Sequence, residues 1–349
     1  MNTTRNNLTA LRGVFAIIIF LHHFLPYRGV EAGIDIGGNI AVLFFFVLSG
    51  YALTISYKDK VECSNFFYGK FLIRRGSKIY PIQWLTLALA LILGAEAWIA
   101  VPFHFTLAQS YVPRWEINWT LNKASWFLSS LTFSYLIFVP LLRLFLKYGR
   151  KMYMLYGGVV IAWMVISVAL PTSIGRRWLC YINPFARSLD FTLGMVIALQ
   201  TDRLKHWSDR LNGSLLTVLE VVAVALIALS QIYTPWFPGR FIPKQYYYPF
   251  VGFLLCLFAS ECRGRISFLL NWKPLVRLGG ISLGVYMFQG ACISLSHATD
   301  SWPDAPALFF IFIILVLISW LYETYLAPRA ARWFTTCCEC IFKIDKAKS

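Results

Sequence analysis

Charge is scarce in this chain. Of 349 residues only 14% are charged, and the 16 Asp and Glu are half as many as the 32 Lys and Arg. An ordinary soluble domain carries about 25% charged residues. With 58% hydrophobic and 17% aromatic residues and a mean hydropathy of +0.61, a soluble globular fold is excluded. The composition calls for an all-α, polytopic integral membrane protein. Also missing are HExxH, Walker, GxSxG and dinucleotide-binding patterns. Chemistry here must therefore be built from single buried side chains, and no metal is expected. Eight cysteines (Cys63, Cys180, Cys256, Cys262, Cys292, Cys337, Cys338 and Cys340) show no paired spacing, which excludes a disulfide framework. The close trio at 337, 338 and 340 lacks a fourth zinc ligand and reads as juxtamembrane thiols ahead of a palmitoylation or metal site. No internal repeat, low-complexity linker or soluble domain interrupts the pattern, so residues 1–349 read as one transmembrane domain.

Ten apolar stretches are long enough to cross a bilayer: Leu8–Leu25, Ile36–Tyr57, Ile79–Val101, Ala124–Leu146, Tyr153–Leu170, Leu179–Leu199, Ser214–Ser230, Tyr246–Ser260, Leu275–Leu295 and Ala307–Leu326. About ten transmembrane helices put both termini on one side. Basic residues choose the side. With the termini in the cytoplasm, 23 Lys and Arg fall in inner segments and 7 in outer ones, as the positive-inside rule requires. The formal net charge of +16 is thus explained by the bilayer, and nucleic acid is not an expected partner. Outer loops are instead aromatic, with Tyr111, Trp115 and Trp119 in one and Tyr233, Trp236 and Phe237 in another. Arg12 interrupts the first span and no small-residue cleavage site follows, so this span reads as retained.

That first span, LTALRGVFAIIIFLHHFL, carries Arg12, His22 and His23. Ionisable groups inside a span are functional candidates by default. Eleven helical steps of about 100° leave Arg12 and His23 about 20° apart on one face, separated by about 16 Å along the axis. His22 points about 80° away, which makes His23 the better base. A second group is FLIRRGSKIYP, where Arg74, Arg75 and Lys78 gather in the first turns of the third span, before or at a bend made by Pro81. Guanidinium forks and a lysine point charge suit phosphate groups, and lipid headgroups satisfy the same pattern. In the second span Ser49 and Gly50 permit close helix packing or a ligand against backbone. In the sixth, Asn183, Pro184, Arg187 and Asp190 are polar intruders, and the i, i+3 spacing lets Arg187 and Asp190 neutralise each other. A structural pair and a substrate contact stand as equal readings there. Ser129, Ser130, Ser134 and Gln289 are expected to make interhelical hydrogen bonds.

Taken together, LTALRGVFAIIIFLHHF, LFFFVLSGY, FLIRRGSKIYP, WFLSSLTFSYLIFVPLL, PFARSLDFTLGM and PLVRLGGISLGVYMFQ resemble the acyltransferase family 3 membrane proteins over nearly the whole chain. The resemblance implies a cytoplasmic acyl-CoA donor, most simply acetyl-CoA, and a glycan hydroxyl as acceptor. It maps an essential arginine and histidine onto Arg12 and His23, and a basic donor motif onto Arg75 and Lys78. A bacterial inner (plasma) membrane is implied too, with homo-oligomer assembly left open. Lys78 stands where a second arginine is frequent. Leu43, Leu131, Thr132 and Gln289 also depart from the family pattern. The competing reading is a transporter or flippase of an anionic or lipid-linked substrate, and a non-catalytic scaffold is a third. Paired broken helices in matching halves, which a transporter often shows, are not evident in the sequence.

Overall fold

The computed structural model describes residues 3–30, 36–63, 66–169, 178–233, 244–260 and 263–342. Outside them lie Arg176, Arg177, Trp236, Phe237, Arg240, Cys262, Lys343, Lys346 and Lys348, as do the side chains of Arg5, Tyr233 and Lys244. Among the described residues every regular element is helical. In chain order the α-helices are α1 Thr3–Tyr27, α2 Gly38–Tyr57, α3 Tyr68–Ile92, α4 Val101–Thr106, α5 Trp115–Asn118, α6 Trp126–Tyr148, α7 Arg150–Ala169 and α8 Pro184–Leu199. There follow α9 Thr201–Asp209, α10 Gly213–Tyr233, α11 Tyr248–Ala259, α12 Arg265–Leu270, α13 Lys273–Gly280, α14 Ser282–Ser294, α15 Asp304–Leu321 and α16 Ala327–Ile341. Among the described residues five helices are long and apolar enough to cross a membrane, or six when the pair broken at Ile281 is counted as one.

Among the described residues each of the ten apolar stretches overlaps helix, but only five or six helices are long and apolar enough to span, against the ten expected. The third stretch leaves helix after Ile92. The third is the clearest shift. Its helix starts at Tyr68 and places Pro81 well inside it, so the basic run sits in the second and third turns of a 25-residue helix rather than at a helix start. Hydropathy marks where a helix is greasy, whereas backbone hydrogen bonding carries it on through charged residues.

Two compact units divide the chain: residues 1–56 with 148–282, and 57–147 with 283–349. In the first, α2 and α8 meet backbone to backbone. A Cβ added at Gly50 would collide with the Phe191 carbonyl, and one at Gly194 with the Val47 carbonyl. This is the close approach that small residues allow between membrane helices, and it accounts for Gly50. Phe15 stacks on Phe44 with centroids 4.2 Å apart, joining α1 to α2.

In the second unit, Phe71 stacks on Phe138 at 5.4 Å and the Tyr68 hydroxyl donates to the Leu136 carbonyl, so α3 and α6 run side by side. Trp84 then stacks on Phe105 at 5.1 Å and lies 5.8 Å from the ring of Phe334. Sequence places Phe105 in an outer loop and Phe334 in the inner C-terminal segment. Contact with one indole puts both at one depth, which a hydrocarbon core about 30 Å thick would not permit for loops on opposite faces. The segment after α3 therefore folds back along that helix instead of projecting outward.

Candidate active site

Helix α1 runs unbroken from Thr3 to Tyr27, so the phase that aligns Arg12 with His23 is carried by regular helix. Arg12 is half-buried and His23 is exposed. The Nδ1 of His23 lies 2.8 Å from the Ile19 carbonyl oxygen. A carbonyl only accepts, so in the neutral ring Nδ1 carries the proton and the lone pair belongs to Nε2. A base needs that arrangement.

The turn that bears Arg12 is held by α13. A Cβ on Gly279 would collide with the Thr9 carbonyl, and one on Gly13 would stand 2.9 Å from the Leu275 carbonyl oxygen. Below it, Asn271 donates to the Asn7 side chain at 3.0 Å. Helix α12, just before α13, is capped from α10: Thr217 Oγ1 accepts from the Arg265 N–H at 3.1 Å, and Glu220 accepts from Ile266 N–H at 2.8 Å and from Ser267 N–H at 3.3 Å. The Ser267 hydroxyl adds a bond of 2.5 Å. The first three N–H groups of α12, which have no partner in their own helix, are thus satisfied. Glu220 is fully buried and was legible as a lone acid in the apolar run LLTVLEVVAVALI, but only its tertiary partners reveal its task.

The basic group lies in the second unit. Arg74 and Lys78 are exposed, and Arg75 is half-buried. Arg74 precedes Lys78 by one helical turn, with Arg75 beside them. The Arg75 guanidinium donates to the Tyr57 hydroxyl at 3.2 Å and lies over the rings of Tyr57 and Phe71 at 5.5 and 5.7 Å. Its Nε is buried without a hydrogen-bond partner, and no carboxylate among the described residues pairs with it. An arginine fixed on aromatic faces with its charge not neutralised by a carboxylate is suited to an anion brought from outside. Phe334 covers the adjacent Gly76, where a Cβ would come within 3.2 Å of its ring.

The remaining candidates are bonded within the first unit. Ser49 turns its hydroxyl to the Phe45 carbonyl at 2.7 Å. Asn183 is the N-cap of α8, accepting from Phe185 N–H at 2.8 Å and Ala186 N–H at 3.3 Å. Arg187 and Asp190 form a fully buried ion pair of 2.5 Å. Arg187 also donates to the Cys180 carbonyl at 2.9 Å, and the Tyr248 hydroxyl donates to Asp190 at 2.7 Å. A buried pair with such added bonds is the form in which two charges are tolerated in an apolar interior.

Sequence reading passed over His104. It is fully buried in the fold-back segment, with Nε2 donating to the Ile117 carbonyl at 2.8 Å and Nδ1 3.1 Å from the Ser125 hydroxyl. Burial holds its imidazole below the usual range, partly offset by the Ile117 bond. Gln83, Gln109 and Ser125 complete the network. Ser129 bonds to Leu107 and Ser110 of this segment rather than to a neighbouring membrane helix. Gln289 is buried with neither amide atom partnered among the described residues.

A family model described as an acyltransferase domain matches residues 5–324. Acyltransferase MdmB of Streptomyces mycarofaciens is 27% identical over 323 residues, covering 83% of this chain and 79% of that protein. Peptidoglycan O-acetyltransferase OatA of Listeria monocytogenes is 23% identical over 322 residues, covering 83% of this chain and 49% of its own length. The chain therefore spans about half the length of OatA. No solved structure matches it. With the match running over nearly its whole length, the chain belongs to acyltransferase family 3 and is an acyltransferase.

Proposed function

We propose that the protein moves an acyl group, most simply acetyl, from acyl-CoA to a hydroxyl of a cell-surface polysaccharide or its lipid-linked precursor, at the inner (plasma) membrane. The observation that carries this reading is the bond from His23 Nδ1 to the Ile19 carbonyl. It leaves Nε2 as the basic atom of an exposed histidine. In direct transfer Nε2 takes the proton of the acceptor hydroxyl as its oxygen attacks the thioester carbonyl. The carbon–sulfur bond then breaks, and the departing CoA thiolate recovers the proton from the imidazolium. Attack by Nε2 itself, followed by transfer from an acyl-histidine, uses the same atom. A positioned base contributes about 10²- to 10⁴-fold in rate. Arg12 neutralises charge on the donor or on the developing oxyanion.

Arg74, Arg75 and Lys78 hold the phosphates of CoA. The Arg75 guanidinium, fixed over the Tyr57 and Phe71 rings, supports this role. Similarity to OatA, a peptidoglycan O-acetyltransferase, supports a glycan hydroxyl as acceptor. The family match names acyl transfer, which does not favour the transporter reading.

Donor binding tests the proposal. Acetyl-CoA should bind the purified protein, and Arg74→Gln/Arg75→Gln/Lys78→Gln should weaken it at least about hundredfold, since charge-assisted hydrogen bonds contribute about 1.5–3 kcal/mol each. Equal affinity in the triple variant would remove these residues from the donor site.

A further inference from the structure

We infer that His22 is a positioning residue for His23, seated by the glycine pair that opens α2. The inference rests on the reading of His23 as the base. The two rings meet edge to face, with centroids 5.3 Å apart and planes at 85°, a favoured aromatic geometry. His22 is in turn set against Gly38, the first residue of α2. A Cβ built on Gly38 would overlap the imidazole, closest to Cδ2, at 2.5 Å from Cγ and 2.9 Å from Nδ1. Those ring atoms cannot move aside as a flexible chain end would. Gly37 precedes it with φ +94°, a left-handed conformation that favours glycine. The two glycines therefore serve different needs. Gly37 supplies the turn into α2, and Gly38 leaves the space that the His22 ring fills.

The consequence falls on His23. Its Nδ1 is bonded to the Ile19 carbonyl, which fixes the tautomer and one edge of the ring. His22 bears on the ring from the side and sets the lean of its plane, hence the direction of the Nε2 lone pair. A base must be aimed as well as deprotonated, because proton transfer falls off steeply when the lone pair misses the hydroxyl. Two adjacent histidines on one helix are thus divided in role. One reacts, and the other, half-buried against α2, holds it.

The contact acts through shape, so a phenyl ring should replace the His22 imidazole. In nanodiscs, His22→Ala should lower kcat about tenfold with the acetyl-CoA KM within twofold of wild type. Over the same comparison His22→Phe should stay within threefold in kcat. Gly38→Ala should repeat the loss by displacing the ring, and combining it with His22→Ala should add nothing. A second readout is independent of acyl transfer: the rate at which diethyl pyrocarbonate modifies His23, followed by peptide mass spectrometry, should change at least threefold in His22→Ala and Gly38→Ala but not in His22→Phe. The inference is overturned if His22→Phe is as impaired as His22→Ala, if His22→Ala keeps full kcat, or if the Gly38 and His22 losses multiply. Wild-type protein that consumes no acetyl-CoA would instead overturn the acyl-CoA reading, and the modification rates would still decide the role of His22.

Discussion

Removing the Glu220 carboxylate should loosen the start of α12 in the first unit. In the folded chain it accepts two backbone N–H bonds, from Ile266 at 2.8 Å and Ser267 at 3.3 Å, and the Ser267 hydroxyl at 2.5 Å. The site is closed, for a Cβ at Gly264 would collide with the carboxylate. Glu220→Ala leaves two N–H groups at the start of α12 without partners. Each buried unsatisfied donor costs about 1–3 kcal/mol, while the hydroxyl can turn elsewhere. The sum is about 2–6 kcal/mol, a large part of the roughly 5–15 kcal/mol that holds a fold together. Glu220→Gln keeps one accepting oxygen and should cost about half as much. At about 2 °C per kcal/mol for a chain of this size, thermal unfolding in detergent should drop by about 4–12 °C for Ala and less for Gln. Hydrogen exchange at Ile266 and Ser267 should rise in the same order. An alanine variant melting within about 2 °C of wild type would refute the capping role.

Two further perturbations read the buried polar groups. His104 is held neutral by burial, so the unfolded chain binds its proton first, near a pKa of about 6.5. Stability should therefore fall as pH drops below that value and keep falling toward the lower folded pKa. His104→Gln should shrink the difference in melting temperature between pH 7.5 and pH 5.5, and an unchanged difference would assign it to other groups. Arg187→Ala strands the Asp190 charge and should cost about 3–5 kcal/mol. Arg187→Leu with Asp190→Leu should recover most of that loss in thermal unfolding, and a double variant worse than the single would show that the pair itself stabilises the fold.

How much of this was readable beforehand depends on what each residue answers to. Apolar runs report burial directly, so the stretches that became α1, α2, α6, α10 and α15 were legible from hydropathy alone. Gly50 was legible as a packing glycine because only a small residue after FFFVLS lets two helices touch. The start of α3 was not, since Arg74, Arg75 and Lys78 lower hydropathy without breaking a helix whose N-terminal half packs on α6. The fold-back segment around His104 was hidden for a different reason. Its stability comes from side chains bonding to distant carbonyls, as Gln83 does to His104 and Ser129 to Leu107, and such pairings leave no periodic trace. At the site, Arg12 and His23 stood out as ionisable groups at helical spacing. Gly38 and Glu220 act through tertiary geometry, and the Ile19 carbonyl through a side chain turned back along its own helix.

The central claim is that His23 is the base of acyl transfer from CoA. The most direct measurement follows thiol release from acetyl-CoA and acetyl transfer to a glycan acceptor by purified protein in nanodiscs, comparing wild type with His23→Ala. The account predicts turnover by wild type, and a loss of about 10²- to 10⁴-fold in His23→Ala while acetyl-CoA still binds with unchanged affinity. Full transfer by the His23→Ala protein would contradict it.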